Sequence, residues 1–208
     1  SLRVSLTATV LACLFGLTLG AVLAIARFPG RSAVLIVLNA LMGLPPVVVG
    51  LLVYLSLSRA GPLGFLGLLY TPTAMIVAQT ILITPIVAAL SRQVLEDLHD
   101  EYRDQFRSLC LTRVQVVQAL LWDARVALTT VALAGFGRAV AEVGAVMIVG
   151  GNIDHLTRVM TTAIALETSK GELALALALG IVLMVIALGV NALVQTLRLS
   201  SERQQAHA

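Results

Sequence analysis

Residues Leu173–Leu197 read LALALALGIVLMVIALGVNALVQTL, 25 positions without a charge between Glu172 and Arg198. A bilayer core about 30 Å thick is crossed by a helix of about 20 mainly apolar residues, so this run is long enough to span one. Two similar runs lie upstream, 23 uncharged residues between Arg3 and Arg27 and 27 between Arg31 and Arg59. Ala60 to Ser91 is also uncharged, but Gly61, Pro62, Gly64, Gly67 and Pro72 break its first part into a loop. The helix there is expected from Pro72 to Ser91. A fifth apolar segment, Val126 to Val149, carries Arg138 and Glu142. The expectation is an all-α membrane protein, one domain over residues 1–208, with about five spans near 4–26, 33–57, 72–91, 126–149 and 173–197. Composition points the same way: 59% of the 208 residues are hydrophobic and 12% charged, against about 25% charged in soluble domains.

The first run is long for the apolar part of a signal peptide, and no small-residue cleavage site follows it, so it reads as a span. The chain opens on Ser1 rather than Met, and native residues are expected to precede it. Lys and Arg in short loops mark the cytoplasmic side. With the amino terminus outside, the inner loops hold nine of them (Arg27, Arg31, Arg92, Arg103, Arg107, Arg113, Arg125, Arg198 and Arg203), and the outer side holds four (Arg3, Arg59, Arg158 and Lys170). The carboxyl terminus is then cytoplasmic. The pI near 9.3 and net charge of +3 follow from these loops. No basic patch with interleaved aromatics appears, so nucleic acid is not an expected partner. Cys13 falls in a span and Cys110 in a loop, and His99, His155 and His207 are scattered, which leaves no disulfide or metal framework.

The one long polar connection runs from Arg92 to Arg125. Its stretch HDEYRDQFRSLCLTR, residues 99–113, gathers charge in a chain that has little elsewhere. Leu95, Leu98, Tyr102, Phe106, Leu109 and Arg113 recur at helical spacing, with Glu96, Asp97, Asp100, Arg103, Asp104 and Arg107 on other faces, which predicts short amphipathic helices. One reading is a helix lying on the membrane surface. Such helices carry a Lys/Arg-rich polar face, however, and five acids lie between Glu96 and Asp104. Mixed charge favours docking on a protein.

Two features inside the spans ask for a purpose. Pro45 and Pro46 lack backbone donors and clash with the preceding turn, so the second span is expected to kink or break there. That is either a packing kink or a broken helix beside a substrate pathway, since freed backbone is tolerated only against protein or a water-filled cavity. Arg138 and Glu142 are four apart and can pair. At mid-span the two cost about 5 to 7 kcal/mol on the insertion scale, so they must face a bundle interior, a cavity or another subunit. Gly135, Gly137, Ala141, Gly144 and Ala145 thin that helix for close packing. The pair is open to a purely structural reading or to a place on a pathway. In the outer loop that follows, Asn152, Thr157, Thr161 and Thr162 could hydrogen-bond an anion and Arg158 could attract one, although loop solubility explains them equally.

No GxxxxGK[ST] phosphate loop occurs, and no Ser/His/Asp or Cys/His arrangement can be assembled. The chain is therefore expected not to be an enzyme and to bind no cofactor itself.

The stretches SLRVSLTATV, RFPGR, GLPPVVVGLLVYLSLSRAGPLG, TPTAMIVAQTILITPIVAAL, GFGRAVAEVGAVMIVGGNI and TRVMTTAIALETSKG together resemble the membrane permease of tungstate-type ABC importers, relatives of the molybdate permeases. The likeness covers nearly all of the chain. It implies the type I ABC importer permease fold, an inner (plasma) membrane location among lipid, and a homodimer with the pathway at its interface. It also implies a cytoplasmic ATP-binding cassette subunit that holds ATP and Mg, and an extracytoplasmic oxyanion-binding protein. Such permeases carry a cytoplasmic coupling segment with the pattern Glu-Ala-Ala, three residues, Gly, nine residues, Ile-x-Leu-Pro. By position it falls on Asp104, Gln105, Phe106 and Cys110, with Leu120 to Asp123 at its far end, inside a coupling region of about 95–120. Only Asp104 keeps the acidic character, Cys110 replaces Gly, and no Pro follows. On this resemblance Leu98, Tyr102, Phe106 and Leu109 would fill a groove on the ATPase, with Asp104, Arg107 and Cys110 beside them. Pro45, Pro46, Arg138, Glu142, Asn152, Thr161 and Thr162 would lie along the substrate pathway. Tungstate, molybdate and sulfate are similar tetrahedral dianions, so selection among them rests with the binding protein. The alternatives are an ion-gradient-driven secondary transporter using Arg138 and Glu142 as a proton relay, and a purely structural membrane subunit. Secondary transporters usually carry internal repeats, and none is visible.

Overall fold

Backbone in hydrocarbon has no water to bond, so an apolar run must close its own hydrogen bonds as helix. In the computed structural model the first run does so as α1 (Leu2–Ile25). The structure describes residues 1–26 and 28–206. Arg27 and His207 lie outside the described residues, as do the side chains of Arg113, Arg198 and Arg203. After α1 come α2 (Arg31–Met42), α3 (Pro46–Leu57), a short 3-10 turn (Gly64–Leu66), α4 (Pro72–Glu101), α5 (Arg103–Ser108), α6 (Arg113–Asp123), α7 (Arg125–Val140), α8 (Gly144–Gly150), α9 (Met160–Ser169) and α10 (Leu173–Ala206). Among the described residues no strand occurs. Three helices, α1, α4 and α10, are long and apolar enough to cross a membrane alone, and up to five spans result if two bent pairs, α2 with α3 (99°) and α6 with α7 (74°), each count as one.

The α1–α4 pair forms the most extensive contact. Ser5, Ala8, Thr9, Ala12, Gly16 and Gly20 are buried along α1, a stripe of small residues that lets two backbones approach. A Cβ at Gly20 would stand 2.1 Å from Ser91 Oγ, and one at Gly16 would stand 2.8 Å from Val87. Leu6, Val10, Leu14, Phe15 and Val22 on the other side of α1 are exposed, which suits a lipid-facing surface.

Two boundaries differ from expectation, those of the fourth helix and of the segment over 126–149. The second span does break at Pro45 and Pro46, but by a bend of 99° between α2 and α3, far more than a packing kink. Pro46 sits in the first turn of α3, where its missing N–H costs nothing. The fourth helix runs ten residues past Ser91, to Glu101, because Glu96 bridges Arg92 on α4 and Arg31 at the start of α2 (2.7 Å). Arg31 Nε also donates to Leu23 O of α1 at 3.0 Å. The segment expected as one helix over 126–149 is two, with Ala141, Glu142 and Val143 between α7 and α8. The polar connection folds as α5 and α6, short helices as its periodicity predicts. Thr112 and Gln115 form a capping box at the start of α6.

Candidate functional site

The two helix breaks meet. Gly50 of α3 lies so close to α8 that a Cβ on it would be 2.7 Å from Ala145 Cα, and a Cβ on Gly144 would be 3.0 Å from Val47 Cγ2. Beside this contact Arg138 Nη1 donates to Glu142 Oε2 at 2.6 Å, and Glu142 Oε1 accepts from Ala145 N–H at 3.0 Å. Both carboxylate oxygens are thus engaged, one by a guanidinium and one by the first turn of α8, where negative charge is favoured. The Glu142 side chain is 3% exposed and that of Arg138 33%. Ending α7 at Val140 leaves carbonyls without a following turn to bond them, and neighbouring side chains take them up. Gln79 Nε2 of α4 donates to Ala139 O at 3.0 Å, and Thr161 Oγ1 of α9 donates to Glu142 O at 3.0 Å. Gln79 Oε1 is buried without a partner among the described residues, in a narrow cleft it shares with Arg138 and Glu142.

The structure therefore brings Pro45, Pro46, Arg138, Glu142 and Thr161 into one neighbourhood and leaves Asn152 and Thr162 out of it. Thr161 and Thr162 are buried rather than open to an outer loop, because each satisfies backbone. Thr162 Oγ1 accepts from Val159 N–H at the start of α9, at 3.0 Å. Thr157 is likewise spent, donating to Gly150 O and accepting from Ile153 N–H. Arg158 pairs with Asp154 at 2.9 Å. Asn152 takes a left-handed turn, φ 50, just after α8. The hydroxyl hydrogens of Thr157, Thr161 and Thr162 are thus directed at backbone carbonyls. Gln79 was missed; its signal is an amide in the middle of the apolar run MIVAQTILI.

At the end that the arginine count assigns to the cytoplasm lies α5. Leu98, Tyr102 and Phe106 are only partly exposed. They pack on the chain's own cluster of Ala21, Ala24, Leu95, Val116, Leu120, Ala124 and Leu128. Phe106 stacks on His99 at 6.1 Å and meets Tyr102 edge-on at 5.9 Å. The Asp123 carboxylate beside Tyr102 raises its phenol above the usual value. Part of the amphipathic face is covered internally, where α6 folds back against α4. Asp104, Gln105, Arg107, Ser108, Leu109 and Cys110 are exposed. Cys110 has φ 50, Leu111 N–H donates to Phe106 O and Cys110 N–H to Arg107 O. These bonds form a Schellman motif, whose left-handed residue is usually glycine. That is the position where the resemblance places Gly.

Residues 16–199 match the family model described as "Binding-protein-dependent transport system inner membrane component". Over 198 residues the chain is 42% identical to a probable anion ABC transporter permease protein of Haloferax volcanii, covering 93% of this chain and 85% of that one. It is 41% identical to a tungstate uptake system permease protein of Peptoclostridium acidaminophilum, over 95% of this chain and 87% of the relative. A sulfate transport system permease protein of Salmonella typhimurium is 30% identical over 90% of this chain and 70% of its own length.

Proposed function

The chain belongs to the family of binding-protein-dependent transport system inner membrane components, the membrane subunits of ABC importers, and on that premise we propose that it passes a tetrahedral oxyanion, tungstate first, across the membrane. The observation that carries the substrate is the 41% identity to a tungstate permease over nearly the whole chain. Two copies would enclose the pathway. The break around Arg138 and Glu142 would stand beside it, because a guanidinium with a third of its surface open can meet a dianion while Glu142 holds it in place. A cytoplasmic ATP-binding subunit, carrying ATP and Mg, would grip the outward side of α5 at Asp104, Arg107, Leu109 and Cys110. An external binding protein would deliver the anion. The amino terminus would lie outside and the carboxyl terminus inside.

A proton relay through Glu142 is less well supported, since both of its oxygens are hydrogen-bonded and its side chain is nearly closed to water. The test is uptake into proteoliposomes holding the permease and its ATPase, with the binding protein outside. Tungstate should accumulate only with ATP and the binding protein. Accumulation driven by a proton gradient without the ATPase would overturn the proposal.

A further inference from the structure

At the end of the bundle opposite α5, residues 58–71 fold back over the close of α3 and leave a cavity of about 580 Å³. Its polar side chains among the described residues are Tyr54, Ser58, Arg59 and Tyr70, and none is a carboxylate. Ser58 Oγ donates to Leu55 O at 3.0 Å, so its hydrogen is committed. Arg59 is exposed and has no carboxylate within ion-pair distance among the described residues, unlike Arg31, Arg92, Arg138 and Arg158. The phenols of Tyr54 and Tyr70 meet edge-on, with hydroxyl oxygens 3.5 Å apart. A good O–H···O bond is about 2.7–2.8 Å, so the two hydroxyls bond each other poorly. A third oxygen between them could accept from both.

The wall is held rather than loose. Tyr70 has φ 63, a left-handed conformation that bulky residues seldom take. Its N–H donates to Val149 O at 3.1 Å. Its ring lies on Gly151, where a Cβ would come within 2.7 Å of Cδ1. Across the loop, a Cβ on Gly64 would be 2.3 Å from Ser58 O, so only glycine closes the turn this tightly. Donors fixed on one wall, one full positive charge and no facing carboxylate make a site for an anion. The volume leaves room for waters about it, at about 30 Å³ each.

We propose that this cavity is a separate anion site on the outer face of the permease, taking a partly hydrated tetrahedral dianion between the Arg59 guanidinium and the hydroxyls of Tyr54 and Tyr70. The class of anion rests on the oxyanion reading; the site itself rests on the cavity. It would collect the anion at the mouth of the pathway, remote from Arg138.

The experiment is calorimetric titration of the purified permease in lipid nanodiscs, without ATPase or binding protein, with sodium tungstate and then sodium sulfate. The wild type should bind saturably. Arg59→Gln should weaken binding about tenfold or more and Tyr70→Phe about two- to fivefold, as expected for charged and neutral hydrogen bonds, while Arg59→Lys should keep part of it. Arg59 is exposed, and size-exclusion profiles should show its variants folded. Absence of saturable binding by the wild type, or equal binding by Arg59→Gln, overturns the inference. Uptake by the complete transporter is scored separately: uptake without binding by the isolated permease sinks this site and leaves the function standing, whereas Arg59-dependent binding without uptake does the reverse.

Discussion

Glu142 does two jobs with one carboxylate, holding Arg138 and capping α8 through Ala145 N–H. A structural ion pair and a pathway pair looked alike in the sequence because spacing of four is all that pairing on a helix needs. The cap could not be read, since nothing in Ala141-Glu142-Val143 is a helix breaker. The break is made by distant groups, Gln79 and Thr161, that take up its carbonyls. Removing one partner of a fully buried pair costs about 3 to 5 kcal/mol, and the partial exposure of Arg138 puts Glu142→Ala near the low end of that range. Glu142→Gln keeps an acceptor for Ala145 and should lose about 1 to 2 kcal/mol. Exchange of the pair, Arg138→Glu with Glu142→Arg, should not restore stability, because an arginine at 142 offers Ala145 only donors. Thermal melts in detergent followed by fluorescent size exclusion rank the three. A melting point for the exchanged protein equal to wild type would show that the cap is dispensable.

Between elements, the contact of α3 with α8 depends on absent side chains. Gly50→Ala would push a methyl onto Ala145 Cα, where only backbone can yield, and overpacking of this kind costs about 1 to 3 kcal/mol. A Cβ on Gly137 of α7 would meet nothing within 4 Å. Gly137→Ala should then raise stability by up to about 1 kcal/mol through helix propensity. Both are scored by melting of the purified permease. If Gly137→Ala instead lowers the melting point and dissociates a dimer, that face of α7 is where the second copy packs. Legibility was uneven at this scale. The break at Pro45 was open to inspection because proline lacks its N–H whatever surrounds it. The apolar stripe of α5 states that something covers it, and only the fold shows that α6 supplies part of the cover.

For the whole molecule, the consequence of that cover is a pair of opposite outcomes. Phe106→Asp should unseat the cluster that joins α1, α4, α5 and α6, and the permease itself should lose stability. Leu109→Asp, on a residue 67% exposed, should leave melting unchanged while abolishing co-purification of the ATPase and ATP-driven uptake. Pull-down of the ATPase on each variant, beside its melting curve, separates loss of grip from loss of fold. The last helix is the barest element: within the apolar part of α10 only 6% of the most hydrophobic window is buried inside the chain, so its sides are open to an apolar surround.

The meeting of α3 and α8 also bears on how the protein is made. Helices leave the ribosome in order, yet α3 is bent 99° from α2 and rests on Ala145, which is synthesised only after α4, α5, α6 and α7. Until then its glycine face lacks the Ala145 backbone it rests on. Biosynthesis must therefore hold the first half of the chain in a provisional arrangement within the bilayer, and the permease acquires its shape late, when α8 arrives to lock a bend that was written into the chain long before.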